Sequence, residues 1–182
     1  VTVLAHLHPA VVGVHMLISL GLVAVSTVLL AREPAASPGP PSDRPHPAPD
    51  APTRRTADAL LVAGAVLLAL GIVVTGAGPH GGDDEHAYRY AVYPVLVAKA
   101  HAWAVLVFLA LLAVCLVRLV RRSAPRGVLR SWWILLVVTL AQGVVGYVQY
   151  FTGLPEVVVG VHMLGAGVLA SSLTWAYCRL VR

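Results

Sequence analysis

The sequence predicts an all-α, polytopic membrane protein with about five transmembrane helices, and three observations carry that prediction. Of its 182 residues 58% are hydrophobic and only 12% charged, with a mean hydropathy of +0.81; a soluble globular chain carries roughly a quarter charged residues. The apolar residues are gathered into runs of about 20, the length a helix needs to cross hydrocarbon. Those runs are continuous rather than alternating, which excludes the strands of a membrane barrel. The net charge of +5 does not point to nucleic acid, because the basic residues sit between the apolar runs rather than along one face.

Taken in order, the first run is about Ala10–Ala31, the second about Ala57–Ala77, the third about Val95–Val120, the fourth about Ser131–Phe151 and the fifth about Glu156–Cys178. Residues 32–56 form a linker rich in Pro, Ala and Ser, a composition that cannot bury a core. A polar loop, Gly76–Pro94, joins the second and third runs, and a short basic loop, Arg118–Arg130, joins the third and fourth. The TGLP stretch, Thr152–Pro155, is tight enough to make the last two helices an antiparallel hairpin. No basic, cleavable leader is visible at Val1, and the opening residues read as a loop feeding a helix, so the expectation is a chain incomplete at its N-terminus.

Charge sets the expected orientation. Arg32, Arg44, Arg54, Arg55, Arg118, Arg121, Arg122, Arg126, Arg130, Arg179 and Arg182 all fall on one side of five crossings, leaving Arg89 and Lys99 on the other. The positive-inside rule makes the arginine side cytoplasmic, with the linker and the C-terminus inside a cell membrane. Trp132 and Trp133 suit that interface.

In that orientation helices one, three and five run the same way, and each carries a histidine about five or six residues past its outer end: His15, His101 and His162. At 1.5 Å per residue all three lie roughly 9 Å below the outer boundary. The stretch VVGVHML occurs twice, at Val11–Leu17 and Val158–Leu164. With the short Pro-containing turn before each copy, it points to an internal duplication. Residues 1–31 are then the last helix of a first four-helix half, and 57–182 a complete second half. A single histidine in such a helix could serve only to hydrogen-bond a neighbour, which contributes about 1 kcal/mol. Three at one depth favour iron: neutral imidazoles from two helices can take the two axial positions of a heme. Ala98 and Ala104 flank His101, and Gly165 and Ala166 flank His162, leaving room for a flat ring or for close helix approach. Ile18 and Ser19 stand near His15 instead, so His101 pairs with His162 and the second half is expected to be a four-helix heme-binding bundle.

Four segments in order, TGAGPHGGD (Thr75–Asp83), AKAHAW around His101, AQGVVGYVQYFTGLP (Ala141–Pro155) and VGVHMLGAG (Val159–Gly167), resemble the heme A synthase family, particularly its actinobacterial type. The resemblance covers the chain apart from the linker. It implies an eight-helix oxidoreductase of two similar halves that oxidises the C8 methyl of heme O to a formyl group, giving heme A for cytochrome c oxidase. It further implies that His101 and His162 hold a resident heme b. His15 is the matching histidine of the first half, which handles substrate heme O and the oxidation. His80 is expected at the heme edge; Arg89, read from its position alone, is either beside a propionate or an ordinary loop arginine. The partners implied are heme O, heme O synthase, the cytochrome c oxidase assembly apparatus and membrane lipid. The partner of His15, the first loop's acidic residue and the family's loop cysteines have no counterpart here. This chain alone is therefore expected to hold heme b without forming heme A, and its first helix to expose His15 to lipid or pair with a second copy.

Other groups are weighed against plainer roles. The loop residues His80, Asp83, Asp84, Glu85 and His86 could hold a divalent ion, but their spacing fits no closed site, and a solvated loop is the expectation. Glu156 complements the start of helix five, and Lys99 is placed to snorkel or meet a propionate. Gln142 and Gln149 require partners in lipid, and Gly143 and Gly146 favour close packing. Cys115 and Cys178 lack metal or disulfide spacing. The alternatives are a b-type cytochrome acting only in electron transfer, or a heme or proton transporter. The former would place histidines in both leaflets, and the latter would place carboxylates at mid-span; neither pattern is present.

Overall fold

The computed structural model describes residues 8–33, 48–79 and 88–182. Among these, all regular structure is helical: α1 (Pro9–Arg32), α2 (Ala51–Ala77), α3 (Pro94–Arg121), α4 (Arg126–Phe151) and α5 (Glu156–Val181). All five are long and apolar enough to cross a membrane. Proline opens α1, α2 and α3, where its missing N–H costs nothing because the first turn has no intrahelical acceptor.

Two helices begin earlier than hydropathy predicts. α2 starts at Ala51, inside the expected linker, and α4 at Arg126, inside the expected basic loop. The reason is that a first turn at the membrane surface needs satisfied hydrogen bonds, not apolar side chains. Before α2 the Asp50 carbonyl accepts from Arg54 N at 2.9 Å, and Thr53 Oγ1 donates to Asp50 Oδ1 at 2.5 Å. One turn on, Arg54 Nε donates to Asp58 Oδ1 at 3.0 Å, an i,i+4 pair that supports the helix.

The two short turns share one design. After α4, Gly153 sits at φ +78 and Leu154 N donates back to the Gln149 carbonyl at 2.8 Å. After α3, Ser123 takes the left-handed position at φ +51 and Ala124 N donates to the Leu119 carbonyl at 3.0 Å. Both are Schellman ends, and Pro155 and Pro125 follow to stop the helix. Each turn reverses the chain at once.

The helices form two tight hairpins, α2 with α3 and α4 with α5, joined along the α3/α4 and α2/α5 seams, while α1 lies against α5 and α2. The diagonal partners α3 and α5 make no close backbone approach. The large fully buried side chains are Leu60, Phe108, Leu112, Cys115, Trp132 and Leu135. They occupy the half of the bundle where α3 ends and α4 begins, the arginine-rich end. In lipid, burying these groups gains nothing over acyl contact, so close packing and a few polar ties must hold them. Tyr177 O–H donates to Asp58 Oδ1 at 2.6 Å, joining α5 to α2, and Arg54 lies 5.3 Å over the Tyr177 ring. Thr27 Oγ1 donates to the Val23 carbonyl at 2.7 Å, so across the 3.0 Å contact with Ser171 it is Ser171 that donates, tying α1 to α5.

The opposite end has a different tie. Tyr90 O–H donates to the Pro9 carbonyl at 3.0 Å, its ring covers Gly76, and Tyr90 N donates to the Gly76 carbonyl at 3.0 Å. A Cβ at Gly13 would come within 2.8 Å of the Tyr90 oxygen. One aromatic residue thus joins the start of α1 to the end of α2, and glycine at two positions makes room for it.

Candidate functional site

His101 lies seven residues past the start of α3, and His162 six past the start of α5. Both helices start at the end opposite the arginines, so both rings sit roughly 9 Å in from their helix starts. They stand on the diagonal helices α3 and α5 at matching depth. Each hairpin thus carries one imidazole at this depth.

Each ring rests on a glycine of its hairpin partner. A Cβ at Gly71 of α2 would meet His101 Cε1 at 3.2 Å and Nδ1 at 3.7 Å; one at Gly146 of α4 would meet His162 Cε1 at 3.4 Å. Gly71 lies six residues before the end of α2 and Gly146 five before the end of α4, matching the depth of the histidines. Glycine inside a helix is about 1 kcal/mol less favourable than alanine. Its use at both positions is explained by the ring that fills the missing side chain. The Nδ1 atoms of both rings are buried without a hydrogen-bond partner, and the Leu67 carbonyl, one turn from Gly71, lies beside the His101 ring.

Polar side chains flank the pair on α4. Gln142, one turn toward the arginine end from Gly146, lies with its amide against Gly165. Gly165, expected to leave room for a flat ring or for close helix approach, seats this amide, and Gln142 lies one turn deeper than the histidine. Gln149 Oε1, one turn the other way, is buried without a partner.

The remaining expected residues are not gathered here. His15 lies six residues past the start of α1, at matching depth, but it is exposed. Arg89 and Lys99 are exposed at the histidine end, and Glu156 stands in the first turn of α5. His80, Asp83, Asp84, Glu85 and His86 lie outside the described residues. Among the described residues no three His, Cys, Asp or Glu side chains form a metal cluster. Sequence reasoning missed Gly71 and Tyr90; a glycine interrupting the apolar run LLALGIVV is the signal that could have found the first.

As a donor set, two glycine-backed imidazoles at matching depth on diagonal helices are the residue types that could take the two axial positions of a heme iron. Comparison with known proteins finds no matching family model, no similar curated protein and no similar solved structure.

Proposed function

We propose that the chain is a heme-binding membrane oxidoreductase of the heme A synthase type, with a resident heme b between His101 and His162. The observation that supports it most is the matched pair of glycine-backed histidines at one depth on two diagonal helices whose backbones do not approach closely. Heme b, when bound, supplies one-electron transfer. The protein's own contribution is to hold and orient. Gly71 and Gly146 fix the imidazole planes, the Gln142 amide lies one turn deeper, and the packed half beyond it excludes water from that side. Arg89 and Lys99, at the same end, are placed to neutralise propionates at the surface. In this reading His15 belongs to the substrate heme O site, and its exposed face is where a further heme-binding half would pack.

The orientation follows from the charges: the arginine end is cytoplasmic, the C-terminus is inside, and the histidine end faces the outside of the cell membrane. Labelling of Arg126→Cys by a membrane-impermeant thiol reagent, in a background with both native cysteines replaced, is expected only after the membrane is opened.

The test of the site is the visible spectrum of the purified chain, oxidised and reduced, with pyridine extraction of the pigment. Low-spin heme b at one per chain is expected. His101→Ala and His162→Ala should each remove that signal, since a heme held by one axial ligand is weakly bound. An unchanged bis-histidine spectrum in both variants would falsify the pairing.

A further inference from the structure

The last two turns of α3 hold a feature that the heme reading does not use. A shallow, open groove of about 510 Å³ runs there along one face of α3 alone, lined by Ala113, Val114, Val117, Arg118, Arg121 and Arg122. Its wall is apolar and its rim is cationic. Val114 and Val117 are about half exposed, so the wall faces outward to lipid rather than into the bundle. From Ala113 to Arg121 the helix rises roughly 12 Å, so the guanidinium groups sit at the helix end and the apolar wall one to two turns deeper.

The three arginines are not equally committed. Arg122 Nη2 lies 3.0 Å from Asp50 Oδ2, and Asp50 is itself held by Thr53. That pair fixes Arg122 at the rim and neutralises it. Among the described residues Arg118 and Arg121 make no direct ion pair, although the Asp50 carboxylate also feels Arg118, and Arg118 Nε is buried without a hydrogen bond. The groove therefore presents positive charge above an apolar trough. Arginines in the last turn also complement the helix carbonyls, but that role needs neither the trough nor three of them.

We propose that this groove binds an anionic phospholipid, its phosphate held by Arg118 and Arg121 and the first part of an acyl chain lying along Val117, Val114 and Ala113. Charge at headgroup level directly above an apolar wall is the recognition such a lipid requires. A soluble phosphate would use the rim and leave the wall without purpose. The site is independent of the histidines, so it stands or falls separately from the heme.

The experiment uses the full chain in nanodiscs of phosphatidylcholine and phosphatidylglycerol in equal parts, released into a native mass spectrometer. Retained phosphatidylglycerol is expected in preference to phosphatidylcholine. Replacing Arg118→Gln and Arg121→Gln together should lower that retention roughly 25-fold, since each arginine near an anionic surface contributes about fivefold. Arg126→Gln with Arg130→Gln changes the net charge equally outside the groove and should leave retention unaltered. Where the first double variant does not fold, Val117→Trp fills the trough and keeps every charge, and the same loss is expected. Equal retention of the two lipids would overturn the proposal. So would an equal loss in the Arg126/Arg130 control, unaltered retention with Val117→Trp, or displacement of the lipid by excess inorganic phosphate.

Discussion

The two ends of the same four helices are filled in different ways. From mid-bundle toward the arginine end glycine is an opening for a large neighbour: Gly64, at the middle of α2, is covered by Leu173, and its missing Cβ would meet the Phe108 ring at 3.2 Å. At the histidine end Gly71 and Gly146 are openings too, but what enters them is an imidazole. The first arrangement makes a solid interior from Phe108, Leu112, Trp132 and Leu135. In the second, the buried residues nearest the helix ends are small or cyclic, Pro9, Gly13, Gly76 and Ala77, with Leu67 buried one turn deeper than Gly71. The difference teaches that one end of the bundle is built to hold the helices together and the other to hold side chains at a set distance.

The comparison can be broken most severely by giving the histidine end the filling of the other. Gly71→Leu and Gly146→Leu each put a branched side chain where an imidazole edge lies. Complete loss of the heme b spectrum is expected with helical content unchanged by circular dichroism. A bound heme in both variants would show that the glycines do not seat the rings. Alanine at either position is the milder form: its Cβ at 3.2 Å from His101 or 3.4 Å from His162 requires a shift of tenths of an ångström, so a displaced absorption maximum rather than loss is expected.

Hollowing the solid end should do the reverse. Phe108 is fully buried, and Phe108→Ala is expected to cost about 2 kcal/mol of unfolding free energy through the cavity it leaves, with the positions of the heme bands unmoved in the protein that remains folded. Detergent-mixture unfolding followed by circular dichroism measures the first quantity and the absorption spectrum the second. Movement of both together would mean that the two ends are not independent.

Smaller effects come from the polar ties. Tyr177→Phe removes the hydrogen bond to Asp58 and is expected to cost about 1 kcal/mol, read as a lowered melting temperature. The smallest is a pH effect at Asp50. The Thr53 hydrogen bond, then Arg122, holds the Asp50 carboxyl below the ordinary carboxylate range. Its contribution to stability is complete above the unfolded value of about 4 and fades as pH falls through the lowered folded value. The melting-temperature gap between wild type and Asp50→Asn should therefore be present at neutral pH and close on acidification. A gap that widened in acid would contradict the sign.

Much of this fold was legible in the sequence, because the bilayer imposes a length and an apolarity that a chain cannot disguise. All five helices lie where their apolar runs predict them, and the TGLP turn makes the expected hairpin. The boundaries were legible only where apolarity sets them. The starts at Ala51 and Arg126 depend on backbone satisfaction at the surface, which arginine and threonine serve as well as leucine does. The turn after α3 escaped notice because Ser123 occupies a left-handed position where glycine is the usual signal. For the candidate site, the matched depth of His101 and His162 could be counted along the chain. Which small residues adjoin them could not, since Ala98, Ala104 and Ala166 are neighbours in sequence, whereas Gly71 and Gly146 adjoin the rings across a helix interface.

The bond from Tyr90 N to the Gly76 carbonyl bears on chain statistics. It pins together the two ends of the connection between α2 and α3, and the Tyr90 hydroxyl anchors that junction to α1. A connection whose ends are already joined feels added length only through closure entropy, which rises by about 0.6 kcal/mol for each doubling of the loop. Length added between these two ends should therefore leave the packing of α2 against α3 as it was. That makes this connection the place to attach a reporter for sidedness, a fluorophore or an affinity handle.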